Sequence, residues 1–309
     1  EVSKYIYKTV PHDTNAFTAL NSAFSTNPVV ISLEKNTVLD KPVNIVYVDS
    51  GKGYIFTQPH VFFYAAESSQ GTIIESSYLM NASSFSNRVT EIIINDNAHI
   101  KWIKVQQEDH DHGLISTTAS DIGKDATFDI TTVCIDGELI RNDLIIRMQK
   151  QNSVSHLHGV YVLNDSQQVD NHTLVDHQVA NCESNELYRG VVDETAMAVF
   201  NGKVFVQPDA QKTNAFQSNA NILLSDDATV NTKPQLEIWA DDVKCSHGAT
   251  TGQLDEEAMF YLRSRGIGSD KAKELLLNAF TKDVIDNIEI PKLKEFILRN
   301  IKNKLHKED

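Results

Sequence analysis

Between about Val29 and Ala249, apolar and polar residues alternate in short runs broken by Asn, Asp, Gly and Ser. Val43-Asn44-Ile45-Val46-Tyr47-Val48, Glu91-Ile92-Ile93-Ile94, Ile100-Lys101-Trp102-Ile103-Lys104-Val105 and Lys203-Val204-Phe205-Val206 are representative. A period of two predicts β-strands, here of about four to seven residues, because successive strand side chains point to opposite faces. Helical periodicity is nearly missing from this region. The exception lies ahead of it, where Phe17, Leu20 and Phe24 predict a short helix within Thr14 to Phe24.

The pattern changes after Leu254. Asp255-Glu256-Glu257 opens a helix through Met259, Phe260 and Leu262 that ends at Gly266, with acids at its start and Arg263 and Arg265 at its end. A second helix is expected from about Asp270 to Asn287, with Ala272, Leu276, Ala279, Phe280 and Val284 as its apolar stripe. Pro291 suits the first position of a third, with Leu293, Phe296, Ile297, Ile301 and Leu305 on one face.

A weak repeat runs through the strand region. Asn97-Ala98-His99-Ile100, Asp125-Ala126-Thr127-Phe128 and Asp227-Ala228-Thr229-Val230 share the order Asx, Ala, variable, apolar. Sandwich, barrel and parallel β-helix all use many short strands with polar corners. Scarcity of Asn-Gly and Asp-Gly hairpin turns, Asp136-Gly137 excepted, favours the β-helix. Its open ends would recruit other chains, so an end-to-end dimer is expected. Three regions follow: a partial N-terminal region 1–28, a β-helix core 29–253 and a helical domain 254–309. The chain opens at Glu1 without Met, which raises the expectation that an N-terminal part is missing.

Composition narrows the function. Net charge is −14, from 28 basic and 42 acidic residues, which argues against a nucleic-acid or anionic-membrane binder. Cys134, Cys182 and Cys245 are an odd number without disulfide-framework spacing, which suits a reducing, cytoplasmic compartment. No apolar run approaches the roughly 18 residues of a membrane span.

The most informative stretch is Lys244-Cys245-Ser246-His247-Gly248-Ala249-Thr250. On an extended strand, Cys245 and His247 project to the same side, so a thiol and an imidazole could reach one soft or borderline metal. Two ligands do not close a tetrahedral site, so further donors would come from elsewhere in the fold or from another chain. The competing reading is ordinary packing of a small buried thiol.

Other clusters carry weaker chemistry. Glu108-Asp109-His110-Asp111-His112 has metal-ligand types, but five consecutive residues cannot face one ion, and a solvated loop is expected. Asp170, His172, Asp176 and His177 could line one face for acid–base work, against a bland role at turns. His156-Leu157-His158 repeats the same-side spacing. Cys134 among apolar neighbours reads as a core thiol, and Cys182, near a corner, as an exposed one. P-loop, dinucleotide, G-x-S-x-G and H-E-x-x-H motifs are all missing, which lowers the enzyme reading.

In order along the chain stand Gly202-Lys203-Val204-Phe205-Val206, Asn221-Ile222-Leu223-Leu224-Ser225, Lys233-Pro234-Gln235-Leu236-Glu237-Ile238, Asp242 to Thr250, and Phe260-Tyr261-Leu262-Arg263-Ser264-Arg265-Gly266-Ile267. This set resembles the SufB/SufD family of iron–sulfur cluster assembly scaffolds, on its SufD side. The resemblance covers roughly Asn97 to Leu305 and is weak before residue 90. It implies a right-handed parallel β-helix with a C-terminal helical domain, and a non-enzymatic scaffold with a role in iron acquisition. It also implies a SufB-like partner joined through the β-helix and a SufC-like ABC ATPase, which would explain the missing P-loop. ATPase docking would fall on about Asp255 to Leu305, through Phe260, Leu276, Phe280, Leu293, Phe296 and Ile297. Cys245 and His247 match the family's Cys and His, which implies a nascent cluster or iron held transiently at a subunit interface. No cofactor is expected to stay tightly bound to the isolated chain, which would pair as a homodimer. Two rivals remain: a β-helix enzyme acting on polysaccharide through acids such as Asp170 and Asp176, and an inert structural solenoid.

Overall fold

A computed structural model of the chain describes residues 2–80, 83–107 and 112–305. In chain order the early strands are β1 Val29–Leu33, β2 Val43–Ser50, β3 Tyr54–Thr57, β4 His60–Ala65, β5 Gln70–Met80 and β6 Ser83–Ile94. The central ones are β7 His99–Gln107, β8 His112–Ile122, β9 Thr127–Asp136, β10 Leu139–Met148, β11 Val154–Leu163 and β12 Gln168–His177. Last come β13 Glu183–Val192, β14 Met197–Val206, β15 Asn214–Leu223, β16 Thr229–Ile238 and β17 Lys244–Gly252. Helix α1 spans Ala16–Phe24, α2 Glu256–Ser264, α3 Ser269–Ile285 and α4 Pro291–Leu305.

From β4 onward the strands enter two sheets in turn. One runs β17-β15-β13-β11-β9-β7-β5-β2, the other β1-β4-β6-β8-β10-β12-β14-β16 with β3 also on β6. Every recorded pairing between these strands is parallel, as in Glu183↔Asn214 and Asn214↔Lys244. Two parallel sheets fed alternately by one chain make a parallel β-helix, as the repeat and the hairpin scarcity predict.

Corners follow the repeat. Asn97, Asp125, Asn152 and Asn181 take positive φ of 58°, 55°, 61° and 63°, a conformation that Asn and Asp tolerate better than other side chains. The next residue, Ala98, Ala126, Ser153 or Cys182, points inward and is fully buried. Strands from β7 to β17 run nine to eleven residues, longer than the predicted four to seven. They continue through inward polar residues such as Asn142 and Asn171, which bond one another across neighbouring strands at 3.1 Å and so need no turn to satisfy them.

The main core fills the coil, with Trp102, Phe63, Phe128, Tyr161 and Phe200 among its buried side chains. A second core lies on the outer face of one sheet. Ile103, Val105, Val133, Val160 and Val191 there receive Leu277, Val284, Ile285, Ile297 and Ile301 of α3 and α4. The helices otherwise form close to where they are predicted. Asp255 caps α2 by accepting from the backbone N–H groups of Glu257 and Ala258. The buried face of α3 carries Leu277 and Thr281 rather than Leu276 and Ala279. On the opposite sheet the N-terminal segment is pinned by Glu91, whose carboxylate accepts the backbone N–H groups of Tyr7, Thr9 and Val10. Among the described residues no helix is long and apolar enough to cross a membrane.

Candidate functional site

Strand β17 ends its sheet and β16 ends the other, so the coil stops with an outer edge that no strand of this chain covers among the described residues. Register aligns Cys245 with Ala215 and His247 with Gln217, both inward residues of β15. The two candidate ligands therefore share one side of the terminal strand, as their spacing predicts. Cys245 is half-buried and packs against the cluster of Val204, Val206, Ala210, Ala215 and Ala240, while His247 is exposed. Burial raises the Cys245 thiol above its ordinary value, partly offset by a backbone hydrogen bond from Ala215. Thiolate formation there calls for a metal or a neighbouring positive charge. A thiol and an imidazole on one side of a strand are donors that iron accepts. Among the described residues no three His, Cys, Asp or Glu side chains are grouped to hold a metal ion, so coordination at Cys245 and His247 would need donors beyond the described neighbours of this pair.

The other candidates separate. Cys182 is buried, not exposed as its corner position predicts. It fills the small-residue slot of the repeat, where it accepts a hydrogen bond from Ser153 Oγ at 3.2 Å. Cys134 is buried as expected, but it faces polar groups, donating to Gln106 Oε1 at 2.9 Å. Asp170 pairs with Arg141 and His172, each at 2.8 Å. Asp176 accepts from Gln178 and Gln207, and His177 points inward to Ser184. Asp170, His172 and Asp176 share the outward face of β12 and His177 the inward one, so the four residues do not line one face together. His156 and His158 do share a face, stacked at 6.2 Å, with His156 Nδ1 2.6 Å from Asp129. Of the Glu108–His112 run, residues 108–111 lie outside the described residues. His112 is buried and meets Ser84.

The residues named for partner docking fall in two groups. Phe260 on α2 is 75% exposed and Leu276 on α3 half-buried. Phe280, Leu293, Phe296 and Ile297 instead face the β-helix, where they join the core between helices and sheet.

Residues 47–280 match the family described as SUF system FeS cluster assembly, SufBD core domain. The chain belongs to the SufBD family. A SufBD family protein of Synechocystis, named for iron-sulfur cluster assembly, is 35% identical over 290 residues, which span 90% of this chain and 64% of the relative. The Escherichia coli iron-sulfur cluster assembly protein SufD is 30% identical over 293 residues, 94% of this chain and 69% of that protein. A chloroplastic Arabidopsis protein, ABCI7, is 28% identical over 300 residues, 94% of this chain and 63% of its own length. The chain thus spans about two thirds of the length of these relatives. Its membership of the SufBD family and its β-helix agree with the family expected from Cys245-Ser246-His247 and the blocks around it. Sequence reasoning overlooked Glu186 and Gln217, the polar pair directly behind β17. The available signal was their position: two long polar side chains at the same place in successive coils.

Proposed function

We propose that this chain is a scaffold subunit of iron–sulfur cluster assembly that presents Cys245 and His247 to a nascent cluster or iron at a subunit interface. The carrying observation is the placement of both donors on the inward side of an uncovered terminal strand, where a second chain can extend the sheet and complete the ligand set. A SufB-like subunit is the proposed partner at that edge, and a second copy takes its place when the chain is alone. The helical region α2–α4 docks a SufC-like ABC ATPase, through the exposed Phe260 and the adjoining α3 surface. ATP binding by that partner would shift the scaffold between closed and open arrangements. Cluster or iron is cargo, held in passage.

The test is co-expression with SufB-like and SufC-like chains, followed by iron and sulfide analysis of the purified complex. Wild type should carry both elements. Cys245→Ser and His247→Ala should keep the complex but lose most of its iron. Full loading of the double variant would leave the two residues without a role.

A further inference from the structure

Behind the terminal strand lies a buried polar column. Register sets Glu186 against Gln217 and Gln217 against His247 on three successive strands, so all three hold the same inward position. Glu186 and Gln217 are 4% and 3% exposed. Gln217 Nε2 donates to Glu186 Oε2 at 2.6 Å. Space for the carboxamide exists because residue 202, on the facing sheet, is glycine. A Cβ there would stand 2.3 Å from Gln217 Nε2 and 2.7 Å from the Phe200 ring. The opposite end of the carboxamide, Oε1, is buried and has no hydrogen-bond partner. A buried carbonyl oxygen without a donor is costly and rare, so this one calls for an explanation.

With Nε2 committed to Glu186, Oε1 needs a donor from the next coil, and the residue in register there is His247. His247 is exposed and its ring can turn without displacing the strand. We propose that Gln217 is the positioning residue for His247, its carboxamide oxygen accepting one imidazole N–H and leaving the other ring nitrogen as a free lone pair. The inference rests on reading His247 as a ligand. Ligating histidines nearly always donate their second N–H to a fixed acceptor, which sets tautomer and ring orientation. Glu186 gives the arrangement its sense. In its ionised form it accepts only from the amide end of Gln217, so the oxygen end faces His247; a flipped amide would hold the opposite tautomer.

The experiment is 15N NMR of the full chain labelled at histidine, without metal, alongside titration with cobalt(II) as a ligand-field probe. In wild type, His247 should show one dominant tautomer. Gln217→Met should return it to the mixture of a free imidazole and weaken cobalt binding about 10- to 100-fold. Gly202→Ala, which displaces the carboxamide without altering the column's own side chains, should do the same and stands in if Gln217→Met does not fold. The exchanged pair Glu186→Gln with Gln217→Glu keeps both the buried hydrogen bond and an acceptor toward His247, so it should restore the wild-type tautomer. Unchanged His247 nitrogen shifts in folded Gln217→Met or Gly202→Ala would overturn the proposal. A tautomer that responds as described in a chain that never binds cobalt would uphold the hydrogen bond and remove the ligand role of His247.

Discussion

Gln217 Nε2 meets Glu186 Oε2 at 2.6 Å inside the coil, with both side chains buried. Burial pushes the Glu186 carboxyl up to about 7. The folded state then keeps a proton that the unfolded chain releases near 4.3. This group's share of stability is therefore intact below ~4.3 and is lost as pH rises to about 7. Glu186→Gln cannot ionise. It should match wild type near pH 4.5 and exceed it at pH 8 by on the order of 3 kcal/mol. Denaturant titration at the two pH values measures the gap, and an equal gap at both would mean that the carboxyl titrates normally.

Two imidazoles act in the opposite direction. His177 and His158 are both lowered to about 4, His177 by burial and His158 by burial together with the charge of His156. A depressed histidine takes its proton more readily when unfolded, so stability is intact above ~6.5 and is lost as pH falls toward about 4. His177→Gln should show a shallower loss between pH 7 and pH 5 than wild type, by on the order of 2 kcal/mol. Parallel stability curves for the two proteins would refute this.

Glu91 is a hub for the N-terminal segment. Fully buried, it receives three backbone N–H groups and lies 2.9 Å from His60 Nε2. Glu91→Ala leaves those donors and His60 without an acceptor and should cost about 3–5 kcal/mol. Limited proteolysis should then cut first within residues 2–15, whereas wild type should resist cleavage there.

Glycine and tyrosine alternate in register within the coil, Gly159 beside Tyr188 and Tyr161 beside Gly190. A Cβ at Gly190 would stand 2.1 Å from the Tyr161 ring and 2.3 Å from Asn221 Oδ1. Gly190→Ala should therefore destabilise by about 1–3 kcal/mol through overpacking. Gly248→Ala on the terminal strand, where nothing lies within 4 Å of the added carbon, is the matched control and should be near neutral.

Phe260 allows the proposed docking to be tested apart from folding. At 75% exposure it contributes little to the core, so Phe260→Asp should change stability by no more than about 0.5 kcal/mol. The same variant should fail to retain the ABC-type ATPase in a pull-down that wild type passes. Retention at wild-type level would move the docking surface elsewhere on the helices.

Much of this architecture can be read locally. Asn97-Ala98 and Asp125-Ala126 announce corners because Asx tolerates positive φ and alanine fits the inner bend. Asp255 and Pro291 mark helix starts through capping and a preset φ. Cys245 and His247 share a side because a strand has period two. Local pattern does not tell the inside of the coil from a face covered by helices, since both are buried. Leu276 and Leu277 are equally apolar neighbours, and only the sheet beneath α3 selects Leu277.

The amino-acid order alone determined the strands, their corners, the three C-terminal helices and the paired thiol and imidazole. Tertiary structure decided that Cys182 is sealed in a corner beside Ser153, 29 residues away, and that Gln217 reaches Glu186, 31 residues away. Those contacts arise from stacking one coil on the next, and such a spacing is set by register across the sheet, which neighbouring residues along the chain do not encode.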